Sequence, residues 1–186
     1  CDVIGTVHVS DRIEITGEQV DDFYPISFNG LSGYAYSLYI SPLPDPAPFF
    51  FRGEPGCNRV AIIFNVGVGY DFDMPTVDIL DEYDIPATFF VMGWWAEQNP
   101  DILQELVDRG YPIGSHGDMP LDLAATGDAD VIADIQSAEA KIRAIIGDDL
   151  GPWFTPFGAS WDERVRVIVS GQGYLPVGWE VPAADY

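Results

Sequence analysis

From Arg59 onward, apolar and polar positions follow two alternating rhythms. "RVAIIFNV" (59–66) is a continuous apolar run, the pattern of a parallel strand buried on both faces. "MPTVDILDEYD" (74–84) has helical spacing, with Pro75 in the first turn, where its missing N–H has no helical partner to lose. "PATFFVMG" (86–93) is strand-like again. "WWAEQNPDILQELVDRG" (94–110) puts Ile102, Leu103, Leu106 and Val107 on one helical face and stops at Gly110. The alternation continues with strand "YPIGSH", helix "DADVIADIQSAEAKIRAIIG", strand "GPWFTPF", helix "WDERVRVIVSGQG" and strand "YLPVGWEV". Five β/α repeats in about 125 residues predict an α/β fold of parallel β-α-β units, either a doubly wound sheet or most of a barrel. In both, ligands sit at the C-terminal ends of the strands.

The first 41 residues follow a different pattern. β-Branched and aromatic residues alternate in "VIGTVHVSDRIEIT" and "GYAYSLYIS", punctuated by turn signals at Gly17, Asn29-Gly30 and Gly33, which predicts short strands or hairpins. "PLPDPAPFFFRGEPG" (42–56) holds five prolines and reads as an extended connection over a surface. The expected division is therefore a β-rich N-terminal extension with its Pro-rich connection over 1–56, and an α/β domain over 57–186.

Charge narrows the partners. Thirty acidic residues against eight basic ones give a net charge of −22, which repels nucleic acid and anionic lipid. Lys141 is the only lysine. The surface is thus expected to be a shell of solvated carboxylates, suited to high salt, where self-repulsion is screened. No apolar run approaches the roughly 18 residues of a membrane-spanning helix. The sequence begins at Cys1. A cysteine there is what a lipoprotein presents after signal cleavage, and acylation would tether the domain to a membrane. Alternatively, Cys1 pairs with Cys57 and closes a loop of about 57 residues, a contribution on the order of 4 kcal/mol. Either reading implies an extracytoplasmic setting, secreted or as a surface lipoprotein.

The landmarks "IIFNVG", "IPATFFVMG", "NPDILQELVDRGYPIGSHGDMPLDL", "WFTPFG" and "GWEVPAADY" occur in an order that resembles the polysaccharide deacetylase family, or NodB homology domain, over roughly residues 52 to 186. The resemblance implies a distorted β/α barrel that binds a divalent metal, often zinc, and removes acetyl groups from chitin, peptidoglycan or xylan. Such hydrolysis needs three protein ligands around a metal with one open position, a carboxylate base and an acid for the leaving group.

Carried over residue by residue, the family's base falls on Asn65, whose amide accepts no proton at neutral pH, and its first metal aspartate on Val66, which has no lone pair. The two histidines of His-x-x-x-His fall on His116 and Pro120. The arginine that orients the base falls on Phe154, and the fourth motif leaves only Asp185. The final motif, with the family's acid histidine, would lie beyond Tyr186. The packing residues around these positions remain, Phe89, Phe90, Gly93 and Pro156 among them. The expectation is a deacetylase-like domain without catalytic residues or cofactor, with Asn65, His116 and Asp185 as vestiges, acting as a structural, partner-binding or glycan-binding subunit. The alternative is an active deacetylase or esterase with a rebuilt site, holding one divalent metal such as zinc through His116 with Asp71, Asp73 and Asp118. Against it, aspartate is the commonest charged residue here, chance clusters are expected on any loop, and the simpler reading of these three is solvated rim acids.

Aromatic residues near strand ends offer faces for sugar rings or a protein partner, and Trp94, Trp95 and Phe157 are the candidates. Adjacent tryptophans at a helix start cannot both point inward. A full family domain has further strands after the fourth motif, so the barrel is expected to be incomplete, with an exposed parallel edge. Either residues 2–41 or a protein partner would cover that edge.

Overall fold

The computed structural model describes residues 13–37, 40, 49–53, 56, 59–67 and 74–182. Cys1, Cys57, Asp71, Asp73 and Asp185 lie outside the described residues. The chain forms two compact units, residues 1–44 and 45–186.

The first unit holds a three-stranded antiparallel sheet in the order β1 (Glu14–Ile15), β2 (Phe23–Phe28), β3 (Leu31–Tyr36). Strands β2 and β3 close as a hairpin from Phe28 to Leu31. The two linking residues, Asn29 and Gly30, both have positive φ, 49° and 77°, which is the demand of a type I′ turn and the reason for the Asn-Gly pair.

The second unit is built on a five-stranded, wholly parallel sheet in sequence order: β4 (Ile62–Val66), β5 (Ala87–Val91), β6 (Ile113–Ser115), β7 (Leu150–Phe154) and β8 (Leu175–Pro176). Helices α1 (Met74–Glu82), α2 (Gly93–Gln98), α3 (Pro100–Asp108), α4 (Asp128–Ile146) and α5 (Glu163–Gly171) supply the crossovers. The helix expected over 94–110 is two helices. Pro100 opens the second, because it has no N–H to continue the first, and the Asn99 side chain donates to the Trp95 carbonyl at 2.9 Å to close the joint. The last strand is shorter than its apolar run, since pairing ends soon after Pro176.

The segment beside β8 is neither part of residues 2–41 nor a partner. Phe50 forms a parallel bridge with Val177; its N–H donates to the Pro176 carbonyl at 3.0 Å, and its carbonyl accepts from Gly178 N–H at 2.8 Å. The Pro-rich connection thus ends as a sixth ribbon on that edge. Among the described residues, β4 pairs only with β5. No helix among them is long and apolar enough to cross a membrane.

Two apolar clusters flank the sheet. One gathers Phe89, Val91, Leu103, Leu106, Ile113 and Ile142, with Phe64 stacked on Phe89 at 4.9 Å. The other gathers Phe154, Leu123, Ile135, Val165 and Tyr174. Burying each such side chain contributes about 1.5–3 kcal/mol, and together they hold the strand ends in register.

Helix α4 adds a polar anchor. Its buried stripe runs Val131, Ile135, Ala138, Ile142 and Ile146, and Asp134 sits in phase with it, only 6% exposed. The Asp134 carboxylate accepts from the backbone N–H groups of Asp118 (3.0 Å) and Met119 (2.9 Å), in the turn after β6. Gly117 permits that approach: its φ is +78°, and a Cβ there would lie 2.6 Å from the Asp134 carboxylate. Asp134→Ala is expected to lower unfolding stability by about 2–4 kcal/mol, because two N–H groups lose their acceptor. Asp134→Asn, with one carbonyl oxygen left to accept, is expected to fall between Asp134→Ala and the parent in chemical denaturation.

Candidate functional site

The C-terminal ends of the parallel strands are tied to one another by a staircase of backbone bonds. Met92 N–H donates to the Val66 carbonyl (3.0 Å), His116 N–H to Val91 (2.9 Å), Thr155 N–H to Ser115 (3.0 Å) and Val177 N–H to Phe154 (2.8 Å). The sequence-predicted positions Asn65, Val66, His116 and Phe154 therefore share one edge of the sheet, where a β/α fold places its chemistry.

Neighbouring residues of a strand point to opposite faces. Asn65 is exposed, while Val66 turns inward and joins the main apolar cluster. At the end of β7, Phe154 has no exposure at all, with its ring 6.1 Å from Trp161 and 5.9 Å from Tyr174. Two positions that the family's chemistry would make ionic are thus part of the packed interior.

His116 follows β6 and is buried. Its Nδ1 lies 2.7 Å from the Thr155 carbonyl oxygen. A carbonyl only accepts, so Nδ1 carries the proton and Nε2 keeps the lone pair. The ring meets Phe157 edge-on at 6.4 Å. Burial pushes the imidazole pKa down from 6.5 to about 4, against a smaller upward pull from the Thr155 hydrogen bond. The ring is neutral at physiological pH.

Asp118 is neither a rim ligand nor a solvated rim acid. It is 7% exposed and turns toward α4, where one oxygen accepts from Ser137 Oγ at 2.7 Å and the other lies 3.0 Å from Lys141 Nζ. The same ammonium meets Glu97 at 3.0 Å. The only lysine of the chain is thereby committed to joining α2, α4 and the turn after β6. Gly93 allows the close crossing, since a Cβ there would stand 2.7 Å from the Ala138 Cα. Asp134 also departs from the expected carboxylate shell; burial raises its pKa, opposed by the two backbone N–H groups it accepts. Its signal was present in the sequence as an acid spaced three and four residues from Val131 and Ala138, in step with the apolar stripe.

The aromatic candidates divide. Trp95 is buried in the main cluster, so its indole is not a ligand face, which corrects that expectation. Trp94 is half-buried, and its Nε1–H points to the Met92 sulfur at 3.2 Å. Phe157, also half-buried, packs beside His116.

Among the described residues, the side chains at the strand ends do not make up the three-ligand metal site of the fold. His116 offers one nitrogen, Asn65 only a weakly coordinating amide oxygen, and Val66 and Pro120 no side-chain donor, while Asp118 is held by Lys141. Among the described residues, no group of three His, Cys, Asp or Glu side chains is placed to hold a metal ion.

Residues 52–177 match the family described as polysaccharide deacetylase. The chain is 29% identical over 136 residues to a chitooligosaccharide deacetylase of Sinorhizobium fredii, covering 73% of this chain and 63% of that protein. It is 26% identical over 138 residues to the peptidoglycan-N-acetylmuramic acid deacetylase PdaA of Bacillus subtilis, covering 74% and 52%. Among solved structures, a CE4 family pseudoenzyme from Bacillus anthracis matches with a TM-score of 0.67 at 23% identity, over 77% of this chain and 49% of that one. A mutant of that pseudoenzyme has restored enzymatic activity. A family 4 carbohydrate esterase from Bacillus anthracis matches at 26% identity with a TM-score of 0.67, over 71% and 64%. The chain spans about half to two thirds of the length of these proteins. Their fold is the distorted β/α barrel, and the parallel strands of this chain form an arc of it. On the strand order and the match over most of its length, the chain belongs to the polysaccharide deacetylase family.

Proposed function

We propose that this is a deacetylase-fold domain without catalysis, acting outside the cytoplasm as a structural, partner-binding or glycan-binding subunit. The observation that carries this reading is the absorption of Val66 and Phe154 into the two apolar clusters. A metal ligand and a base-orienting cation cannot be recovered at these positions by a side-chain rotation, because the atoms present have no lone pair and no charge. Asn65 and Pro120 complete the loss: one cannot act as base, and the other cannot ligate. The pseudoenzyme relative lends weight to the reading, and relatives that act on peptidoglycan and chitooligosaccharide make a cell-surface glycan the natural setting.

One observation favours an active metal-dependent enzyme instead. The Nδ1–H bond to Thr155 leaves Nε2 as the free-pair nitrogen, the arrangement that orients a ligating histidine. Asp71 and Asp73 would then supply the remaining ligands.

Zinc analysis after loading and desalting, together with acetate release from acetylated chito-oligosaccharide, xylan and peptidoglycan, separates the two. No stoichiometric zinc and no acetate are expected; one zinc per chain and turnover, both lost in His116→Ala, would overturn the proposal.

A structural His116 also gives stability a pH dependence. Its folded pKa is depressed, so between about 6.5 and 4 the unfolded chain takes up a proton that the folded one refuses, and stability falls as pH drops through that window. The loss attributable to His116 is about 3 kcal/mol. In His116→Asn the amide nitrogen can still donate to Thr155 without titrating. The difference in unfolding free energy between pH 7 and pH 4 is expected to be smaller in the variant by about that amount, and equal differences would remove the neutral buried imidazole from the account.

A further inference from the structure

The N-terminal sheet has two faces of different composition. Strand pairing sets its membership: Phe23 stands opposite Tyr36, Pro25 opposite Tyr34, and Ser27 between Ser32 and Glu14. Because alternate residues emerge on one side, these share a face, while Ile15, Tyr24, Ile26 and Phe28 share the other. Ile26 on that other face is buried. The first face is the open one, yet it is aromatic: Tyr34 is 68% exposed, Phe23 44% and Tyr36 41%. The Phe23 and Tyr36 rings meet at 5.4 Å, and Tyr34 follows about 7 Å along the strand.

Phe23, Tyr34 and Tyr36 form one contiguous exposed surface rather than scattered apolar residues, and its size and charge bear on the occupant. Six-residue strands with a two-residue neighbour make a face of roughly 20 Å by 15 Å, or about 300 Å². A stable protein interface buries about 800 Å² on each partner. The face is too small for a protein and matches a short run of sugar rings. Glu14 is the only charged strand residue on it, so the face has no charge cluster to hold an ionic ligand, and the net charge of −22 repels polyanions. The apolar C–H face of a pyranose lies flat on an aromatic ring, and the hydroxyls of Tyr34, Ser27 and Ser32 stand beside it to meet the sugar's own.

We propose that the open face of the N-terminal sheet, centred on Tyr34 with Phe23 and Tyr36, is a stacking platform for a neutral glycan chain. It does not depend on the strand-end site being silent. Isothermal titration of the full chain would use cellohexaose, N-acetylchitohexaose, polygalacturonate and a proline-rich peptide with the sequence of residues 42–56. At least one neutral hexasaccharide is expected to bind at sub-millimolar concentration, at least about tenfold more weakly in Tyr34→Ala. Tyr34→Trp should restore binding, and Tyr83→Ala, at an exposed aromatic residue of the second unit, should leave it unchanged. Tyr34 is largely solvent-exposed, so an unaltered melting temperature in Tyr34→Ala separates lost binding from lost folding; should the melt shift, recovery of binding in Tyr34→Trp decides. Absence of binding to both neutral sugars, binding that survives Tyr34→Ala without loss, or preference for the peptide or the polyanion would each overturn the platform.

Discussion

The buried carboxylate of Asp134 is the interaction on which the strand-end region depends. A turn that follows a parallel strand leaves backbone donors pointing into the protein, and each buried donor without an acceptor costs about 1–3 kcal/mol. Asp134 meets two of them from one position on α4. The neighbouring turns of α4 bring Ser137 and Lys141 to Asp118, so a single helix fixes the loop on which His116 stands. Removal from water pushes the Asp134 pKa up, and the bonds from the two N–H groups oppose that shift. The imidazole is held from the opposite side by the Thr155 carbonyl. Its orientation is thus set by elements that belong to packing rather than to chemistry.

The packing that holds the strand ends is thus separable from any chemistry placed on them. Stability is the sum of many apolar contacts, and the strand-end polar groups of an enzyme contribute little to it and often oppose it through desolvation. Val66 and Phe154 carry no polar group to desolvate, and each belongs to an adjacent apolar cluster. Apolar side chains at these positions favour the fold, and the His116 ring is fixed by its hydrogen bond to the Thr155 carbonyl.

An excess of carboxylates over cations shapes the surface. Arg109 meets Asp78, Asp81 and Glu105; Lys141 meets Glu97 and Asp118; Arg143 meets Glu139 and Asp148; Arg164 meets Asp128 and Asp162. Each of these four cations is shared by at least two acids, in keeping with 30 acidic and 8 basic residues in the chain. Next to Arg109, burial and the hydrogen bond to Asp81 push the Tyr111 hydroxyl up to about 12, so it remains a donor throughout the physiological range. Exposed pairs of this kind add little stability singly, and salt screens them.

The alternating rhythm of apolar runs determined the parallel β/α architecture, and Asn29-Gly30 determined the hairpin, because both follow from periods and dihedral preferences that act within a few residues. The identity of the strand-end positions was legible too, since side-chain type alone decides whether an atom can donate a lone pair. Long-range packing decided the rest. The sequence offered Asp118 as a rim acid and Trp95 as a candidate ligand face; the fold turned Asp118 to Lys141, 23 positions away, and seated Trp95 in the core. Nothing near Phe50 in the chain announces that it will lie beside Val177, and nothing near Asp134 announces the two N–H groups it accepts. A local pattern states which face of an element is apolar, but which polar atom meets which partner across that face is settled only when the elements have docked.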